Sequence, residues 1–260
     1  MRCSWDDMSI PFPEKFLPMK HCFYTADKLP EQSIHLSIPK ERTGLPLVIF
    51  FHGGGLNTVA RECPDVLFNG EYIVAEPRYR LLDDAVPPAQ IHDAARAIAW
   101  CFEHADEYGF DRDRIFVGGM SAGAYLAAIS VMDTRYLESW DLHYRDIAGL
   151  VLVSGQMTTH FNLKSAMNLG RGRYYPLVDE FAPLSYLEPD LPPILLVTGE
   201  SGLDLPARPE ENAFAAATLR ALGHPLVRNV SLPGRDHGGA LDGCNEAVEA
   251  FIAEIMSGKR

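Results

Sequence analysis

Apolar runs and helical patterns alternate along most of the chain. "SIHLSIP" (residues 33–39) places Ile34, Leu36 and Ile38 at every second position, the pattern of a half-buried strand. "LVIFF" (47–51) is continuously apolar, as a strand covered on both faces should be. "EYIVAEP" (71–77), "RIFVGG" (114–119), "AGLVLVSG" (148–155) and "PPILLVTG" (192–199) follow, and "LVRNVSLPG" (226–234) closes the series. Between these runs the period changes. Ile91, Ala95, Ile98, Phe102 and Ala105 share one face of a helix before Arg114. "AGAYLAAISVM" (122–132) reads as a second helix. "PEENAFAAATLRALG" (209–223) opens with proline and two acids and ends with glycine, the capping chemistry of a third. Val248, Phe251, Ile252 and Ile255 form the apolar stripe of the last.

Strand and helix in repetition predict an α/β fold: a mostly parallel central sheet flanked by helices on both faces. No internal repeat, low-complexity tract or linker interrupts it, so residues 1–260 read as a single domain. One irregular stretch, 156–190, is rich in polar and aromatic residues and reads as a small lid insertion over the sheet. Within it Tyr174 and Tyr175 are candidates for a pocket wall, although aromatic residues in an insertion more often simply pack.

Bulk composition narrows the partners. The net charge of -12 argues against nucleic acid or an anionic membrane, both of which call for a basic face. No window approaches the roughly 18 apolar residues of a membrane span. The start, "MRCSWDDMSIPFPEK", lacks the apolar run of a signal peptide. The 5 cysteines are odd in number and include no C-x-x-C pair, which speaks against a disulfide framework or a zinc site. The expectation is a soluble cytoplasmic protein without cofactor or metal, acting on a small molecule, with self-association left open.

The sharpest chemical signal is "GGMSAG", where Gly119, Ser121 and Gly123 spell G-x-S-x-G. An apolar strand ends just before Ser121 and a helical pattern begins just after it. A turn that tight strains its apex residue and projects the serine Oγ above the sheet, at a helix N-terminus that favours developing negative charge. The bland reading is a glycine-rich turn with an incidental serine. "FFHGGGL" runs a buried strand into Gly53, Gly54 and Gly55, which leave backbone N–H groups unobstructed. Such donors can stabilise the oxyanion of acyl transfer, with Ala122 N–H as a further one. A phosphate loop fits poorly, since no lysine follows and the G-x-G-x-x-G spacing is absent.

Of 9 histidines, His237 in "LPGRDHGGA" follows the terminal strand, at the strand end where open α/β sheets place their chemistry. His52 reads as a holder of the glycine loop. His92, His104 and His224 lie in or beside helices, and His21, His35, His143 and His160 lie in surface-like contexts.

Taken together, "HGGG" at 52–55, "EPRYRL" at 76–81, "MSAGAYLAA" at 120–128 and "DHGG" at 236–239 resemble the α/β-hydrolase superfamily. The resemblance is to its serine esterases with an HGGG oxyanion loop, the hormone-sensitive-lipase-like and acetyl-esterase relatives, and it runs from about Ser33 onward. It implies a carboxylesterase in which Ser121 is the nucleophile, His237 the base, and Gly54, Gly55 and Ala122 the oxyanion hole. An amidase or formamidase with the same triad, and a non-catalytic small-molecule binder, are the alternatives. Two departures matter. Met120 stands where the lipase branch usually has aspartate, and Ala124 where it has a further glycine. The 51 residues before His52 leave room for only a small cap, which implies an open site and short, acetyl-like acyl groups.

The resemblance also implies an acid in "TGESGLDLPAR" (198–208). Relatives often read G-x-x-D there, but that slot is Gly202. Glu200 and Asp204 compete, and Asp204 is preferred because Gly202 lets the loop turn towards the histidine. Asp236 is disfavoured, since adjacent side chains on a short loop diverge.

Overall fold

The computed structural model describes residues 14–40, 43–60, 63–170 and 172–258. Cys3 and most of the N-terminal stretch read for a leader lie outside the described residues. The strands are β1 (Lys20–Phe23), β2 (Ser33–Ser37), β3 (Leu45–Phe51), β4 (Ile73–Pro77), β5 (Phe110–Met120), β6 (Gly149–Val153), β7 (Ile194–Thr198) and β8 (Val227–Ser231). They form one sheet in the order β1-β2-β4-β3-β5-β6-β7-β8. The β1–β2 and β2–β4 pairs are antiparallel, and every pair from β4 to β8 is parallel.

The continuous apolar runs do what a doubly covered strand requires. Alternate side chains enter opposite cores: Leu47, Ile49 and Phe51 one, Val48 and Phe50 the other. Likewise Leu150 and Leu152 oppose Val151 and Val153, and Ile194 and Leu196 oppose Leu195 and Val197. The first core is closed by α1 (Ala89–Glu103), α3 (Ala122–Met132) and α6 (Arg208–Ala221). The second is closed by α7 (His237–Gly243) and α8 (Asn245–Met256).

The shortest elements differ from the sequence reading. Strand β1 and the helices α2 (Ala105–Tyr108), α4 (Thr134–Glu138), α5 (Phe161–Ala166) and α7 were not anticipated, being too short to show a period. The stripe from Ile91 to Ala105 is broken at His104, whose Nδ1 meets the Trp100 carbonyl at 2.8 Å, so Ala105 opens α2. Residues 156–190 carry α5 and a 3₁₀ turn (Pro183–Tyr186). No helix among the described residues is long and apolar enough to cross a membrane.

Candidate active site

Five parallel strands end on the same edge of the sheet, and each delivers one part of the site. Ser121 follows β5 with φ 55° and ψ -113°, a positive φ in a residue that is not glycine. Its amide donates to Val153 O at 2.8 Å, which carries the ladder one residue past the strand and fixes the apex. The turn depends on Gly123: a Cβ there would lie 2.1 Å from Phe51 O and 2.4 Å from His52 O. That absent Cβ lets the start of α3 rest on the end of β3, which brings Ala122 and the glycine loop to the same side.

His237 opens α7 after β8, with Asp236 as N-cap accepting from Gly239 N at 2.8 Å. Its Nε2 lies 2.9 Å from Ser121 Oγ, and its Nδ1 lies 2.7 Å from Asp204 Oδ1. Asp204 has a fully covered side chain and receives further donors: Gly199 N at 2.8 Å, Leu205 N at 2.6 Å, and Ser154 Oγ at 2.9 and 2.7 Å. Burial pushes its pKa up, but the hydrogen bonds from His237, Ser154, Leu205 and Gly199 outweigh it and hold the carboxyl at about 2. The group is therefore an anion at any physiological pH, placed to accept a hydrogen bond from the ring nitrogen it faces.

The other two carboxylates are engaged elsewhere. Glu200 is exposed, and its Oε2 accepts from Gly234 N at 2.6 Å. Asp236 caps α7. The turn between Glu200 and Asp204 closes through Leu203 N and Asp204 N, both donating to Glu200 O at 3.0 Å, with Gly202 at φ +87°. Asp204 therefore reaches His237 from two residues beyond Gly202.

On the other side, Gly54 and Gly55 take φ of 96° and 64°. A side chain at Gly54 would collide with Thr58 O at 2.1 Å. Ala122 opens α3, so its amide has no intrahelical partner. Tyr79 is buried, and its hydroxyl donates to the carbonyls of His52 at 2.9 Å and Gly53 at 3.2 Å. Its ring stacks on that of His52 at 4.3 Å, and His52 Nδ1 meets Gly53 O at 2.7 Å. Burial lowers the His52 pKa to about 4, so its ring stays neutral and braces the loop. Asn162 of α5 donates to Gly55 O at 2.7 Å, tying the insertion to the glycine loop. No cluster of three metal-ligating side chains occurs among the described residues.

The BD-FAE family model matches residues 34–209, two thirds of the chain and both the glycine loop and the elbow. The chain belongs to the BD-FAE family. This BD-FAE protein is 31% identical over 184 residues to Esterase LipQ of Mycobacterium tuberculosis, an alignment covering 65% of this chain and 43% of that one. It is 34% identical over 110 residues to an arylesterase of Saccharolobus solfataricus, covering 40% and 36% of the two chains. The BD-FAE chain spans less than half the length of the curated relatives it matches first. Among solved structures it superposes on a bacterial heroin esterase with a TM-score of 0.71 and 26% identity, over 95% of this chain and 86% of that one. A truncated carbohydrate esterase from gut microbiota gives a TM-score of 0.80 at 18% identity, covering 94% and 98%, a likeness of fold alone. The fold of this BD-FAE protein is the α/β-hydrolase fold.

Sequence reasoning missed four residues of this BD-FAE site. Ser154 was hidden because a single serine after an apolar strand is common, although the C-terminal end of β6 was the place to look. Tyr79 sat in a quoted motif without a role. Asn162 lies in the insertion. Arg208, only 3% exposed, donates from Nη1 to Ser154 O at 3.2 Å. His35 and His160, read as surface histidines, are buried at 4% and 0% exposure.

Proposed function

We propose that this chain is a serine carboxylesterase that cleaves short-acyl esters through an acyl-enzyme. The observation that carries the reading is the unbroken chain of contacts from Ser121 Oγ through both ring nitrogens of His237 to Asp204. The names of its relatives, several of them esterases or carboxylic ester hydrolases, support the same bond class.

His237 Nε2 takes the Ser121 proton as Oγ attacks the ester carbonyl. Gly54, Gly55 and Ala122 N–H groups receive the oxyanion, usually the largest electrostatic contribution in acyl transfer. Asp204 stays ionised, holds the Nδ1–H tautomer, and steadies the imidazolium. The imidazolium then protonates the leaving alcohol, and water activated by the same ring releases the acid. The short-acyl preference rests on the modest cover, in which the described residues of the insertion contribute only the 6-residue helix α5 and a 3₁₀ turn.

Hydrolysis of p-nitrophenyl acetate and labelling by a fluorophosphonate test the reading. Ser121→Ala should abolish both. Turnover persisting in a folded Ser121→Ala protein would refute the assignment, and faster cleavage of N-formyl amides than of acetyl esters would move the substrate class to amides.

A further inference from the structure

Against the loop that follows Asp204 lies a narrow crevice of about 20 Å³, room for only a few atoms of a ligand. Leu205, Arg208 and Glu211 line one wall, and Phe161, Arg173 and Tyr174 another. The chain ties these walls to the candidate site at two points: Leu205 follows Asp204, and Phe161 precedes Asn162, whose amide holds Gly55 O.

The charges around it are unbalanced. Arg208 is 3% exposed, yet among the described residues its guanidinium makes a single hydrogen bond, from Nη1 to Ser154 O, and no carboxylate comes within ion-pair distance. Burial depresses its pKa to about 10, and Glu211 and Asp204 offset this only from a distance. Both carboxylates are committed elsewhere. Glu211 accepts from Met157 N at 2.9 Å, Thr158 N at 3.2 Å and Thr158 Oγ1 at 2.9 Å, and Asp204 serves His237. Arg173 lies over the Phe161 ring at 4.1 Å. Lys164 is buried and donates to the carbonyls of Arg173 at 3.2 Å and Tyr175 at 2.5 Å, so a third cation shapes the same wall. All three cations act on the buried His160, lowering its pKa beyond what burial does. A chain of net charge -12 thus gathers three cations beside its triad. A buried guanidinium without an ion partner is costly, and its planar fork matches a carboxylate in a bidentate pair.

We infer that this crevice is a carboxylate subsite in which Arg208, assisted by Arg173, receives an anionic end of the substrate, making carboxylate-bearing esters the preferred class. The inference rests on the esterase reading, which supplies the bond cleaved.

Two matched pairs of esters separate the possible sources of the carboxylate. The 4-nitrophenyl monoester of glutarate against 4-nitrophenyl pentanoate places it on the acyl side, and 4-acetoxybenzoate against 4-acetoxybenzamide on the alcohol side. The expected result is a kcat/KM at least about tenfold higher for the anionic member of one pair, carried by KM, as a hydrogen bond to a charged group allows. Arg173→Gln should shrink that ratio several-fold, Arg208→Met should erase it, and Arg208→Lys should restore part of it. Calorimetric titration with benzoate against benzamide reads the subsite without turnover: benzoate should bind at least about tenfold tighter, and Arg173→Gln should remove the difference. Absence of any ester hydrolysis with benzoate selectivity intact would refute the esterase reading alone. Equal rates within both pairs, equal binding of benzoate and benzamide, or ratios unmoved by Arg173→Gln would overturn the subsite.

Discussion

Replacing Asp204 by asparagine separates its catalytic and structural work. The carboxylate accepts from His237 Nδ1, Ser154 Oγ, Gly199 N and Leu205 N. An amide offers one oxygen and one NH₂ group, so some of these donors must face another donor. If the NH₂ faces His237, the ring turns to the Nε2–H tautomer and can no longer take the Ser121 proton. The cost of that error is on the order of 10⁴ in kcat, or about 5 kcal/mol of barrier. Stability is touched less. The carboxyl is held at about 2 against ~3.9 when unfolded, a difference worth roughly 2–3 kcal/mol at neutral pH.

The sign of that contribution is fixed by the depressed pKa. The native state binds the proton more weakly than the unfolded chain. The stabilisation is therefore complete above about pH 4–5 and fades as the pH falls towards 2. Melting curves of wild type and Asp204→Asn should be separated at pH 7 and converge near pH 2, while p-nitrophenyl acetate turnover at pH 7 falls by orders of magnitude. Glu200→Gln, which keeps an amide oxygen able to accept from Gly234 N and loses only an exposed charge, should stay within a few-fold of wild type. A folded Asp204→Asn protein that keeps more than about a tenth of wild-type kcat would refute the assignment, and loss of activity in Glu200→Gln instead would move the acid there.

Three further changes test the supports of the site. Ser154→Ala removes a hydroxyl that donates to Asp204 and lies 2.9 Å from His237 Nδ1, and should lower kcat about tenfold with KM little changed; an unchanged kcat would make Ser154 mere packing. Tyr79→Phe removes the hydroxyl that clamps the His52 and Gly53 carbonyls, and should cost about 1–2 kcal/mol in a melting experiment together with a kcat loss; a kcat equal to wild type would detach the loop from catalysis. Gly123→Ala puts a methyl 2.1 Å from Phe51 O, and should leave no folded, fluorophosphonate-reactive protein in the soluble fraction; wild-type labelling would contradict the elbow packing.

What the chain disclosed beforehand follows the physics of each feature. A strand buried on both faces must be apolar at every position, so β3, β6 and β7 could be recognised from sequence with ends within one or two residues. Close backbone approach excludes side chains, so the elbow and the glycine loop announced themselves as glycines. Asp204 and Glu200 were harder to separate, because both carboxylates lie in one loop and only the freedom of Gly202 favoured Asp204. In the structure a turn, Leu203 and Asp204 amides closing on Glu200 O, bends Asp204 towards His237 and leaves Glu200 to Gly234. Ser154 and Arg208 were beyond reach for a related reason. Neither has a period or a spacing that marks it. Each matters because β6, distant in sequence, ends against the loop that leads from Asp204 into α6, where a hydroxyl meets Asp204 and, among the described residues, a guanidinium is buried without an ion partner. Residues of a site that repeat a pattern can be read from the chain. Those that owe their place to which strand ends meet require the sheet order, and here they are Ser154, which donates to Asp204, and Arg208, which donates to Ser154 O.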